Sequence, residues 1–235
     1  MNKRSNGKMK YRMLSILGLV IFFGVWEAAV RLGWVSHRSL NAPSEVVETF
    51  IYKLTNANPD GSTLPQHFFQ SLKLALTSFI IATIIGVPLG WIMGYYKVAD
   101  FLLNPLFEII RPIPPIAWIP IVILTMGIGM SAKVFIIFVA AFVPNVINSY
   151  LGIRLTDATL INVAKTFGAS DWKIFTTVCI PSSMNMVFTG IRLSLNASWT
   201  TLVAAEMLAS IRGLGYMIQM GRTIIRPDII IVGMF

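Results

Sequence analysis

Ionisable side chains are scarce in this sequence. Charged residues make up 12% of its 235 positions, about half of what a soluble domain of this length carries. Hydrophobic residues supply 55%, the mean hydropathy is +0.72, and long stretches hold no charge at all. The composition is that of a membrane protein rather than a soluble one with a greasy core. Cysteine is scarcer still: Cys179 stands alone, which excludes an intrachain disulfide and any cysteine-rich metal site. His37 and His67 are separate from each other and from carboxylate clusters. They read as ordinary loop residues, so no metal site is expected. A phosphate-binding loop of the G-x-x-x-x-G-K-[S/T] type is also missing. Residues 127–133 imitate one, with the wrong spacing and no Ser or Thr after Lys133. Any ATP chemistry must therefore lie on another chain.

What is present is an uneven distribution of positive charge. The net charge is +9, and Lys3, Arg4, Lys8, Lys10 and Arg12 all precede the first apolar run. That bias marks a cytoplasmic N-terminus, residues 1–13. No basic stripe interleaved with aromatics occurs elsewhere, so nucleic acid is rejected as a partner in favour of the lipid bilayer. The first apolar run has no small-x-small cleavage site and reads as a retained signal anchor.

A spanning helix needs about 20 largely apolar residues. Residues 14–33 form the first candidate, with Glu27 and Arg31 spaced to pair on one face. Residues 34–70 are polar and fit an external loop, with Ser44 placed to cap a short amphipathic helix and a turn at Asp60-Gly61. The remainder, 71–235, reads as one core domain. Its second span, 71–96, carries Gly86, Gly90 and Gly94 at intervals of four, a face that lets a neighbouring helix approach closely. Packing is the favoured reading of that face over a direct transport role.

The third span, 102–127, contains five prolines: Pro105, Pro112, Pro114, Pro115 and Pro120. Each removes a backbone donor, and in hydrocarbon the freed groups must be satisfied by protein or a wet cavity. Glu108 and Arg111 in it are spaced to neutralise one another. Residues 134–151 form the fourth span and 183–209 the fifth. Residues 212–226 are glycine-rich and are expected to return along or into the outer face. An apolar run begins at Asp228, and the natural protein is expected to continue past Phe235 by at least a dozen apolar residues. The fold class is all-α, a polytopic bundle of about six transmembrane helices.

Residues 152–182 form the most informative segment, a polar stretch placed in the cytoplasm by the count of crossings. Thr156 or Asp157 can cap a helix running to about Phe167. Gly168 stands where a helix C-terminus wants a left-handed residue. Ser170 can cap a second short helix through Phe175, and Pro181 is expected to end it. A compact helix–turn–helix knob between two spans suits transmission of force from a partner outside the membrane.

Here the sequence resembles the permeases of binding-protein-dependent ABC importers. Their cytoplasmic loop reads Glu-Ala-Ala, three residues, Gly, nine residues, then Ile-x-Leu-Pro. The matching stretch is Asn162-Val163-Ala164, Lys165-Thr166-Phe167, Gly168, nine residues starting at Ala169, and Val178-Cys179-Ile180-Pro181. Ala164, Gly168 and Pro181 agree, while Asn162 replaces the leading glutamate and Val163 an alanine. Segments 111–120 with 127–129, 189–193, 202–208 and 212–216 are similar to the taurine, alkanesulfonate and nitrate branch. The resemblance covers about residues 71 to 235. It implies the MetI-like permease fold in the bacterial inner membrane, used as a homodimer. It further implies an external solute-binding protein and two ATPase subunits, whose ATP and Mg are bound outside this chain. Coupling to those ATPases would run through Asn162, Ala164, Lys165, Phe167, Gly168, Ala169 and Pro181.

The solute path is less sharply marked. Arg192 falls near mid-depth of the fifth span, where a charge normally faces the bundle interior or a wet cavity. It either presents positive potential to a small anionic solute or pairs with a structural partner such as Glu108 or a helix-end carbonyl. Glu206, a further candidate for the path, is about 21 Å further along the same helix, too far to pair with it. Trp118, Asn145, Asn148, Asn196 and Trp199 either line a path or pack between helices. The broken third span, with Glu108, Arg111 and Pro114, is the stronger path candidate. An ion-gradient-driven secondary transporter is the alternative, but it would want paired intramembrane carboxylates and an internal repeat, which are not found. A membrane-embedded enzyme lacks any nucleophile–base constellation.

Overall fold

The computed structural model describes residues 3–37 and 39–234, with side chains from Tyr11 onward apart from Ala209. Lys3, Arg4, Lys8 and Lys10, which carry most of the N-terminal basic cluster, lie outside the described side chains. Among the described residues every regular element is helical. Four helices are long and apolar enough to cross a membrane, and a bent pair makes a fifth crossing if taken as one span. The chain divides into two compact units, one of residues up to His67 together with those from Met217 on, the other Phe68–Tyr216.

In the first unit, α1 (Lys3–Arg31) is followed by the amphipathic α2 (Pro43–Thr55), which packs on α11 (Pro227–Met234). Ser44 does not cap α2. The N-cap is Ala42, and Ser44, two residues inside the helix, gives its N–H and hydroxyl to Glu27 at 3.1 and 2.8 Å. The carboxylate of α1 thus sits at the positive end of α2 while also holding Arg31 at 2.5 Å. His67 is no loop residue either. It lies in the first turn of α3 (Leu64–Tyr95), fully buried, with Nε2 3.3 Å from Asp60. Lys53 Nζ approaches the other Asp60 oxygen at 2.5 Å and donates to the Ser62 carbonyl at 2.7 Å. Burial alone would raise the Asp60 carboxyl, but the hydrogen bond to His67 and the Lys53 ammonium outweigh it and hold the group below its ordinary value. The 56–63 turn is thereby fastened to both helices that flank it.

The second unit is built on α6 (Met130–Arg154) and α9 (Ile180–Ala209), which pack extensively on each other. Close approach is bought with glycine. A β-carbon on Gly90 would stand 2.5 Å from the Val146 carbonyl oxygen, and one on Gly94 would stand 2.8 Å from Ile153 Cβ. Gly86 likewise faces Asn145 and Phe142, so all three glycines of the repeat look onto α6. Gly152 and Gly190, outside that repeat, do the same between α6 and α9, against Ser183 and Asn148.

The proline-rich stretch is not one straight helix. It forms α4 (Lys97–Ile110), a 3-10 turn (Pro115–Trp118) and α5 (Ile119–Met126), with an 86° bend between the two halves. Pro112, Pro114 and Pro115 cluster at that bend, where neither a helical donor nor a helical residue before each proline can be supplied.

Candidate functional site

Two places on the second unit gather the residues singled out above: the segment between α6 and α9, and the buried end of α9.

In the first, α7 (Ala158–Thr166) starts at Asp157, whose carboxylate accepts the Thr159 N–H at 2.7 Å. That bond holds the Asp157 carboxyl below its ordinary value. Past the end of α7, Gly168 takes φ +76°. Its N–H reaches the Lys165 carbonyl at 2.9 Å and the Ala169 N–H reaches that of Ala164 at 3.1 Å. The paired bonds form a Schellman closure, which needs a left-handed residue at this position. Nothing lies within 4 Å of where a Gly168 β-carbon would be, so the requirement is conformational rather than steric. Ser170 then caps the single turn α8 (Asp171–Ile174), accepting the Lys173 N–H at 3.4 Å.

Pro181 does not end this helix. A π-helical turn, Phe175–Cys179, links α8 to α9, so that residues 171–208 run as one long helix. The wide turn lets α8 run on into α9 without a break at Pro181. The inner face of the segment is locked down. Ile174, Phe175 and Cys179 are buried with Ile153, the Tyr95 and Phe175 rings lie 4.9 Å apart, and Tyr95 donates to the Asp171 carbonyl at 3.0 Å. Asp100, held by Arg154 and by Tyr150, ties α4 to the end of α6 beside it. The outer face is the opposite: Phe167 is 84% exposed and Trp172 65%, with Leu160 and Val163 about half exposed. Asn162 and Lys165 are exposed on the same helix, while Ala164 and Ala169 pack inward. The segment thus has an anchored base and an exposed apolar tip.

At the other end of α9, Glu206 is wholly buried and so does not line an open path. Its carboxylate accepts the Ser71 hydroxyl at 2.8 and 2.9 Å and the Gly215 N–H at 3.0 Å. Ser71 in turn accepts the Leu214 N–H at 2.8 Å. Glu206 and Ser71 together cap α10 (Leu214–Thr223), satisfying N–H groups that a helix start leaves open. Gly213, at φ +128°, lies against the carboxylate so closely that a β-carbon would overlap it. The Arg-Gly-Leu-Gly run at 212–215 is the backbone cradle of this acid.

The remaining residues separate into buried and exposed sets. Asn145 is buried and donates to Ser194 at 2.9 Å, Ala141 at 3.1 Å and Thr83 at 3.2 Å, while Asn148 donates to the Pro144 carbonyl at 2.8 Å. Asn145 thus joins α6 to α3 and α9, whereas the Asn148 bond stays within α6. Glu108 pairs with Arg111 at 2.9 Å on an exposed face of α4, and Pro114 is exposed at the bend. Trp118 is half-buried against Phe135. Arg192, Asn196 and Trp199 are exposed along one side of α9, and Arg192 pairs neither with Glu108 nor with a helix end.

This bundle, with its anchored knob between two spans, defines the class: the transmembrane permease subunit of an ABC importer. Residues 86–235 match the family of binding-protein-dependent transport system inner membrane components, and the chain belongs to it. A probable ABC transporter permease protein of Brucella melitensis is 36% identical over 214 residues, 91% of this chain and 84% of that one. The taurine transport system permease protein TauC of Escherichia coli is 33% identical over 223 residues, 94% and 80% of the two chains. The bicarbonate transport system permease protein CmpB of Synechococcus elongatus is 30% identical over 227 residues, 92% and 81%.

Proposed function

We propose that this permease carries a small solute with an oxyanion group, of the sulfonate, taurine, nitrate or bicarbonate kind, and that its 152–182 knob is the point at which a separate ATPase drives it. The carrying observation is the knob itself: an apolar tip at Phe167 and Trp172, a turn closed at Gly168, and a continuous helix from Asp171 into α9. ATP and Mg belong to the ATPase subunits on the cytoplasmic side, where the N-terminus also lies. Solute is delivered on the other side by a solute-binding protein. Two copies of the chain enclose the path, since one copy leaves a polar side of α9 open. The named solute of CmpB is an anion at neutral pH and that of TauC carries a sulfonate group, which supports a solute with an oxyanion group.

Uptake of radiolabelled taurine and bicarbonate into proteoliposomes holding the permease with its ATPase, with the solute-binding protein supplied outside, tests this reading. Uptake is expected to need internal ATP and to survive collapse of ion gradients. Gly168→Asp, which puts a charge and a β-carbon into the turn, is expected to abolish uptake while leaving membrane insertion intact. Unchanged uptake by that variant would refute the coupling assignment, and gradient-driven uptake without ATP would favour the secondary transporter.

A further inference from the structure

The outward faces of α3 and α9 differ in kind. Between Leu76 and Ile92 every exposed residue of α3 is apolar: Leu76, Ile80, Ile81, Ile84, Ile85, Pro88 and Ile92. That is the face of a helix whose neighbour is lipid or another apolar surface. On α9 the exposed positions Asn185, Thr189, Arg192, Asn196 and Thr200 recur at steps of three and four. At about 100° per residue they fall within a sector of roughly 80°. Phe188 and Leu195 border that sector on one side and Leu193 on the other, all three exposed. The stripe is therefore a narrow polar track about 22 Å long on a spanning helix whose other exposed residues between Asn185 and Thr200 are apolar.

From this track we infer a binding site for a small oxyanion at Arg192, with Asn185 and Asn196 as its approaches. The inference rests on the importer reading above and names the residues that would select the solute. The donor inventory decides the sign. The hydroxyls of Thr189 and Thr200 are committed to their own helix, donating to the Asn185 and Asn196 carbonyls at 3.0 Å. The Asn185 and Asn196 amides and the Arg192 guanidinium form no side-chain hydrogen bond or ion pair among the described residues. They offer N–H donors along one track, and its only charge is positive. A guanidinium presents its N–H groups as a planar fork that matches two oxygens of a sulfonate or carboxylate. The low dielectric of the flanking apolar residues focuses that charge along the track.

Burial of the track against a second copy explains it less well. An arginine taken out of water at that depth needs a carboxylate partner. The spanning part of this unit offers Glu108, which already holds Arg111, and Glu206, which caps α10. A wet track with one fixed cation and amides about 10 and 6 Å to either side binds an anion loosely enough to release it.

Single cysteines at Asn196 or Thr200, with Ile80→Cys and Ile84→Cys as controls, test the site in vesicles holding the full permease and its ATPase. The native Cys179 is buried and contributes little background. Each variant is treated with a methanethiosulfonate bearing either a sulfonate or a trimethylammonium group, with rates normalised to a free thiol in solution. The α9 positions are expected to react and the α3 controls to stay silent. The anionic reagent should be favoured by about tenfold. Arg192→Gln should erase that preference and Arg192→Lys should retain it. Silence at both α9 positions in inserted protein would overturn the track. Equal normalised rates, or a preference that survives Arg192→Gln, would overturn the anion site. Either failure can coexist with ATP-driven uptake. Loss of ATP dependence in the unmodified protein would instead strike the importer reading.

Discussion

The two turns that flank α9 solve the same problem by opposite means. At Gly168 the chain reverses in the open, and the carbonyls at the end of α7 are satisfied by the N–H groups of the next two residues. At Gly213 it reverses in the interior, and the N–H groups at the start of α10 are satisfied by Glu206 and by Ser71, which lies 143 residues before Leu214. The first turn is self-sufficient and leaves its tip free for a partner. The second is a tertiary device that holds two distant parts of one unit together. A coupling element has to be rigid yet accessible, whereas the opposite end of the same helix needs fixing from within.

Substituting the two glycines breaks this comparison most directly. Gly213→Ala meets both a φ reserved for glycine and the Glu206 carboxylate, and should destabilise the protein by about 3 kcal/mol or more. Gly168→Ala meets only the conformational penalty and should cost about 1 kcal/mol. Thermal unfolding in detergent, read as apparent Tm, checks the order. Equal losses would mean that the interior turn relaxes around the added carbon.

Ser71→Ala comes next in size. It removes a hydroxyl donor to a buried carboxylate and an acceptor for Leu214, and is expected to cost about 2 kcal/mol. The loss should shrink, though not to zero, when Glu206 is already Ala, because the Ser71–Glu206 bond is then gone while the Leu214 N–H still needs Ser71. Additive losses would separate them.

The smallest effect concerns the open turn. The folded Asp157 carboxyl lies below its unfolded value because it accepts the Thr159 N–H. Its contribution to α7 is therefore complete above the ordinary carboxylate pKa of about 3.9, and it fades as pH falls through the lowered folded value. Hydrogen exchange of α7 amides, corrected for intrinsic rates, should show protection declining over that acid range. Asp157→Asn, which caps without titrating, should abolish the dependence. A protection profile identical in the two proteins would remove Asp157 from the cap.

The open turn was legible in the sequence for the same reason that it is self-sufficient. Asp157, Gly168 and Ser170 act on residues within five positions of themselves, and local rules reach that far. The apolar runs likewise located the four long spans, because spanning length is itself a local property. Partners far apart in the chain were not legible. Nothing near Glu206 points to Ser71, so a buried cap read as a path residue. Nothing near Ser44 points to Glu27, so a serine at a helix start read as its cap. The π turn before Pro181 was hidden for a different reason: a proline reads as a break unless the preceding turn widens to accommodate it. On the exposed side of α9, the spacing of Asn185, Thr189 and Thr200 with Arg192 was present but hidden inside an apolar run.

The central claim is that an ATPase on another chain grips this permease at the tip of the 152–182 knob. Phe167→Cys, the most exposed point of that tip, allows a direct measurement: thiol crosslinking to the ATPase subunit in the assembled membrane complex. A crosslinked permease–ATPase pair whose yield changes when ATP is added is the predicted result. An intact, ATP-hydrolysing complex that gives no crosslink from position 167 or from Trp172→Cys would contradict the account.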